Sequence, residues 1–210
     1  MTFYRICRLL LVGYLRLVYR IRVAGREHVP ATGPFILAPV HRSMLDIPVV
    51  GVISTRRVHF MGKSSLFKVP VLGWLFTVLG GFAVERDGSD TGPIRESLRF
   101  LQAGDPLVVY PEGTRQRGRM VAALQPGAAY LSAKTGAPII PVGIAGAEET
   151  FRLRRGRMPG FGRIVVVVGE PILPPARTGS VVKRSATDEL SATLHERLQK
   201  LMDEAYIVRG

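Results

Sequence analysis

The chain has a single cysteine, Cys7, and no asparagine at all. The first excludes an intrachain disulfide and a cysteine-built metal site. The second excludes N-glycosylation. Acidic residues are also scarce, 16 against 29 cations, for a formal charge of +13, and the cations are 24 Arg and only 5 Lys. No uncharged run is long enough to cross a bilayer. The longest, from Val69 to Val84, is broken by Pro70, Gly73, Gly80 and Gly81. With one cysteine and no asparagine the chain reads as intracellular, and the amino-terminal segment shows no small-residue cleavage site of a secretory signal. No residue cluster calls for a metal, and there is no internal repeat or low-complexity tract.

What is present in the 210 residues is 47% hydrophobic and 21% charged, enough for a packed core in one domain. The cationic surplus implies an anionic partner such as nucleic acid, anionic lipid or a phosphorylated substrate. In the first 22 residues, helical spacing gathers Arg5, Arg8, Arg16 and Arg20 in an arc of roughly 120°, with Phe3, Ile6, Leu10, Tyr14, Leu17 and Ile21 opposite. That pattern suits a helix lying in a membrane interface, its arginines at the headgroups. A terminal helix docked on the protein core is the other reading. The Val69–Val84 stretch predicts an apolar helix ending near Gly80 and then a short strand, either buried or dipping into lipid. The Arg-rich run from Phe151 to Gly162 is a solvated face or a membrane contact.

Elsewhere strands and helices alternate. Strands are predicted over 35–39, 57–61, 106–110, 139–144 and 163–168, the last ending in a run of four valines suited to a sheet interior. Helices are predicted over 45–53, from a cap at Asp90 or Thr91 to 103, over 127–135 closed by Gly136, and over 188–205. Prolines 138 and 141 around one strand suggest an edge position. The fold class is α/β, a single domain with a mixed sheet flanked by helices.

Two segments carry chemistry. In APVHRSMLDIPVV, His41 is followed five residues later by Asp46. A turn between them could set the carboxylate on Nδ1 and leave Nε2 to accept a proton. A capping Asp beside a surface His is the plainer alternative. The second segment, Tyr110-Pro111-Glu112-Gly113-Thr114-Arg115, offers a glycine, a hydroxyl and a guanidinium fork suited to phosphate oxygens. Ser43 either bonds into the site or begins a helix. His28, His59 and His195 have no acid at matching spacing and read as structural.

In order and spacing, these blocks together with MGKSSLFKVPVLGWLFTVLGGFAVER and GAAYLSAKTGAPIIPV resemble the glycerolipid acyltransferase family that includes the lysophosphatidic acid acyltransferases. The resemblance spans roughly residues 23–170. It departs at Val40, where the family often has Asn, and at Glu85, where it often has Asp. The resemblance implies an acyltransferase domain over residues 23–210 behind an interfacial helix of residues 1–22. It implies transfer of a fatty acyl group from an acyl thioester, on coenzyme A or acyl carrier protein, to 1-acyl-glycerol 3-phosphate, giving phosphatidic acid. Glycerol 3-phosphate or another lysophospholipid is the alternative acceptor. By this resemblance His41 is the general base and Asp46 orients it. Lys63, Arg86, Glu112, Gly113, Thr114 and Arg115 form the phosphate-binding group, Glu112 shaping the loop, and Pro141 shapes the site. No cofactor is implied beyond the thioester cosubstrate. The expected location is the cytoplasmic face of the cell membrane, as a monotopic protein on anionic lipid. The rival of a different class is a basic nucleic-acid-binding module. It finds no recognised motif, and no nucleic-acid partner is expected.

Overall fold

The computed structural model describes residues 2–84, 92–150, 162–175 and 182–210. Helix α1 (Thr2–Tyr19) leads into strand β1 (Arg22–Ala24) and a 3-10 turn over Arg26–His28. Strand β2 (Ile36–Pro39), helix α2 (Asp46–Ile53), strand β3 (His59–Lys63), helices α3 (Ser64–Phe67) and α4 (Pro70–Val78), and strand β4 (Gly81–Val84) follow. The second half runs α5 (Gly92–Gln102), β5 (Leu107–Val108), α6 (Gly127–Thr135), β6 (Ile139–Ala145), α7 (Ala147–Thr150), β7 (Val165–Val168) and α8 (Arg184–Arg209).

The seven strands form one sheet in the order β1-β7-β6-β2-β5-β3-β4. Strands β6, β2, β5, β3 and β4 pair in parallel, as do β1 and β7, and the two sets join through the antiparallel β6–β7 pair. The mixed α/β sheet expected from the sequence is therefore present. Both faces are covered, which is why β7 can be valine throughout and fully buried. Val165 and Val167 meet Leu201 and Ala205 of α8, while Val166 and Val168 turn into the main core shared with Tyr19 and Leu15 of α1. Helix α8 lies so close to β6 that a Cβ on Gly143 would sit 2.3 Å from the Leu201 carbonyl oxygen. Glycine there is what lets helix and sheet touch backbone to backbone.

Several expectations need correction. Pro141 is not at an edge, because β6 lies between β2 and β7 in mid-sheet. Its ring nitrogen faces the β7 side just where β7 stops at Val168, and its carbonyl still accepts the Gly169 amide. The missing donor thus falls opposite Gly169, the first residue beyond β7, and pairing resumes between Ile139 and Ile172. Strand β3 lies two residues later than expected, because its pairing of Phe60–Lys63 with Gly81–Val84 carries it to Lys63. Helix α1 ends at Tyr19, and Arg22 already belongs to β1.

The arc of arginines on α1 does not face away from the protein as a unit. Val12, Leu15 and Tyr19 bury that side of the helix, and Arg8 among them donates to the Ser54 carbonyl at 2.5 Å. The opposite side leaves Phe3, Ile6, Leu9, Leu10, Tyr14 and Leu17 exposed. The helix is therefore docked on the core, the alternative reading, and still keeps a free apolar face. The cap expected at Asp90 or Thr91, Arg86 and most of the 151–162 run lie outside the described residues. Among the described residues no helix is long and apolar enough to cross a membrane.

Candidate active site

Each block singled out in the sequence follows the carboxyl end of a strand. His41 comes just after β2, Tyr110–Arg115 after β5, Lys63 closes β3, and Arg86 follows β4 in sequence. These four strands are adjacent and parallel, so their carboxyl ends open on one edge of the sheet. That edge is where open α/β sheets bind ligands.

The His41 Nδ1 lies 3.0 Å from Asp46 Oδ2. The same oxygen accepts the Arg42 amide at 2.6 Å and the Ser43 amide at 2.7 Å. An oxygen that already accepts two amides is an acceptor toward the ring as well. The neutral tautomer this contact selects carries its proton on Nδ1 and leaves Nε2 as a lone pair. The five-residue spacing works because residues 42–45 form a turn that brings two amides onto Asp46, the first residue of α2. Ser43 is buried and its hydroxyl accepts the Leu45 amide, so it builds this turn.

The imidazole rests against Tyr110, ring centroids 4.1 Å apart and tilted by 31°. The Tyr110 hydroxyl and Asp46 Oδ1 are buried without a hydrogen-bond partner. Burial, and then the Asp46 charge, push the Tyr110 phenol well above its ordinary value, so it stays protonated.

Glu112 is not available to a ligand. Its carboxylate is buried and accepts the His41 amide at 3.0 Å, the Arg42 guanidinium at 2.6 Å and the Ala122 amide at 2.9 Å. Its part is to join the loop after β5 to the loop after β2, a link reinforced by the Gln116 amide donating to the His41 carbonyl at 2.8 Å. Gly113, with φ of 72°, Thr114 and Arg115 are exposed beyond this joint, and so is Lys63. Arg42 was not singled out in the sequence, yet every nitrogen of its fork is used. Nε donates to the Gly118 carbonyl, Nη1 to the His41 carbonyl and Glu112, and Nη2 to the Met120 carbonyl and Met202 Sδ. Only a guanidinium has the donors for this set. Its one sequence signal is an isolated cation within an apolar run.

Beneath the turn lies an apolar cavity of about 290 Å³. Met44, Leu45, Val108 and Tyr110 line it near His41, and α4 contributes Leu75, Phe76 and Leu79. Its far wall is α1, through Tyr4, Arg8, Leu11 and Val12. The arrangement thus pairs a proton acceptor and an exposed basic loop with space for an apolar group.

The sequence model of the family described as Acyltransferase matches residues 20–145. That span contains all the site residues named from the sequence and ends before α7, β7 and α8. The chain is 25% identical over 157 residues to the chloroplastic 1-acyl-sn-glycerol-3-phosphate acyltransferase LPAT1 of Arabidopsis thaliana, covering 73% of this chain and 44% of that protein. It is 25% identical over 199 residues to the 1-acyl-sn-glycerol-3-phosphate acyltransferase of Bacillus subtilis, covering 94% of this chain and 96% of that one. The chain therefore spans under half the length of the chloroplast protein and nearly all of the bacterial one. The crystal structure of the 1-acyl-sn-glycerophosphate acyltransferase of Thermotoga maritima matches with a TM-score of 0.76 at 24% identity, over 97% of this chain and 78% of that chain. At that identity the likeness is one of fold.

Proposed function

The chain belongs to the acyltransferase family, and on that premise we propose that it transfers a fatty acyl group from an acyl thioester to the free hydroxyl of 1-acyl-glycerol 3-phosphate, giving phosphatidic acid. The observation that carries this reading is the His41–Asp46 pair, 3.0 Å apart, set above an apolar cavity and beside the loop of Gly113, Thr114 and Arg115.

The acceptor hydroxyl gives its proton to His41 Nε2 as its oxygen attacks the thioester carbonyl carbon. Asp46, bonded to the Nδ1 proton, holds the ring and stabilises the imidazolium that forms. Collapse of the tetrahedral centre breaks the C–S bond, and the imidazolium proton passes to the departing thiolate. No enzyme nucleophile is needed, because the thioester is already activated. Lys63, Arg86 and the Gly113–Arg115 loop take the acceptor's phosphate, and the cavity takes hydrocarbon. The thioester is carried by coenzyme A or acyl carrier protein.

The same reading puts the protein on the cytoplasmic leaflet, attached from one side. Supporting this, the exposed apolar face of α1 continues onto α4 through a contact between Phe3 and Trp74, ring centroids 5.3 Å apart, with Val69 and Val71 exposed nearby. Arg5, Arg16 and Arg20 flank that face for anionic headgroups.

Purified protein is to be assayed with a labelled acyl thioester and, in turn, 1-acyl-glycerol 3-phosphate, glycerol 3-phosphate and other lysophospholipids. Transfer is expected to the first, and His41→Ala should lower it by on the order of 10² to 10⁴. Full activity in His41→Ala, or no transfer to any acceptor, would reject the mechanism.

A further inference from the structure

Helix α8 lies beyond the residues matched by the family model, yet one stripe of it reaches the loops that hold His41. His195, Gln199, Met202 and Tyr206 recur at i, i+4, i+7 and i+11, so they share a face. That face grips the strap of residues 118–122. Gln199 Oε1 accepts the Val121 amide at 2.9 Å, and its Nε2 donates to the Arg119 carbonyl at 3.2 Å. His195 Nε2 donates to the Val121 carbonyl at 3.0 Å. The Arg119 guanidinium lies 4.1 Å from the centroid of the Tyr206 ring.

On its other side the strap meets the groups behind the imidazole. Its Gly118 and Met120 carbonyls take Arg42, and its Ala122 amide donates to Glu112 Oε1. Glu112 Oε2 in turn accepts the His41 amide. An unbroken chain of hydrogen bonds thus runs from α8 through the strap and Glu112 to the backbone of His41. Fixing α8 on the sheet does not require it, since Leu190, Leu194, Leu198, Leu201, Met202 and Ala205 already bury the helix.

We propose that Gln199 and His195 are positioning residues for the transfer reaction, acting on His41 through the 118–122 strap and Glu112. This rests on His41 being the base. A base displaced by a fraction of an ångström loses rate without losing substrate, so the effect falls on kcat.

The test uses the full chain, with kcat and both KM values measured for Gln199→Met, Gln199→Glu and His195→Phe. Gln199→Met keeps the volume and removes both hydrogen bonds to the strap, together with one to Asp203 on the same helix. It should lower kcat about tenfold or more with donor and acceptor KM held within about twofold. Gln199→Glu keeps the acceptor for Val121 but turns an oxygen toward the Arg119 carbonyl and Asp203 Oδ1, so it should recover only part of the rate. His195→Phe should lower kcat in the same manner. Because the path runs through Glu112, Gln199→Met should add little to a Glu112→Gln background. Thermal unfolding of each variant reports whether the fold is intact.

An unchanged kcat in both Gln199→Met and His195→Phe would overturn the proposal. So would an undiminished effect of Gln199→Met in the Glu112→Gln background. These outcomes are distinct from failure of the acyl-transfer reading, which would show as an inactive wild type or a fully active His41→Ala.

Discussion

Arg42 and Glu112, seventy residues apart in sequence, meet at 2.6 Å in an ion pair sealed from solvent directly behind the His41 backbone. Removing one partner leaves the other charged, buried and unpaired, at a cost of about 3–5 kcal/mol. Glu112→Ala should therefore lower stability by that amount in urea unfolding and also lose activity. Replacing both partners, as in Arg42→Met with Glu112→Leu, removes the uncompensated charge but strips the His41 and Ala122 amides and the Gly118 and Met120 carbonyls of their partners, so it should restore only part of the stability and none of the rate. A Glu112→Ala variant as stable as wild type would show that the pair holds nothing together.

Tyr110 offers the opposite expectation. Its hydroxyl is buried without a partner while its ring supports the imidazole. Tyr110→Phe deletes the unsatisfied group and keeps the ring, so stability should rise by about 1 kcal/mol. Activity should stay near that of wild type. Tyr110→Ala removes the support and should lower kcat. A marked drop in kcat for the Phe variant would give the hydroxyl a role of its own.

How much of this was legible beforehand depended on how local the cause was. Helix α6 was read at its observed bounds because Gly136 closes it in a left-handed conformation, φ 79°. The His41–Asp46 contact was legible because both ends lie in one turn. Arg42 was not, because its burial is set by Glu112, the strap and Met202, all distant in sequence. Strand β1 was missed for the same reason. Only three residues long, it exists through pairing with β7. Pro141 misled because a proline forbids one hydrogen bond, and which side loses it is a property of the neighbouring strand.

At the other end of the sheet, His59 opens β3, stacked on Phe100 at 3.8 Å, with its Nε2 3.6 Å from Asp105. Burial lowers its affinity for a proton, and the Asp105 charge only partly opposes this. With the folded value below the unfolded one, near 6.5, the unfolded chain binds the proton first as pH falls. The His59 contribution to stability is thus complete above that value and declines below it until the folded value is reached. The thermal midpoint should fall between pH 7 and 5, and His59→Phe, which keeps the stacking, should flatten that fall. An equal slope in the variant would remove His59 as the cause.

The free face of α1 can be tested without touching the site. Leu10 and Leu17 are 68% and 80% exposed, so Leu10→Glu with Leu17→Glu should leave folding and thermal stability unchanged. Each apolar side chain contributes about 1.5–3 kcal/mol when buried, so co-sedimentation with anionic vesicles should drop at least about tenfold. Wild-type protein should also stay on the vesicles in high salt. Release by modest salt together with tight DNA or RNA binding would favour the nucleic-acid reading.

Because α1 seals one wall of the cavity and seats Tyr19 in the core, it cannot be treated as a detachable anchor. A truncation of this helix would uncover the Leu15 and Tyr19 sockets and open the apolar cavity to water. The segment that, among the described residues, shows the most apolar surface to the outside is the same one that keeps the interior dry.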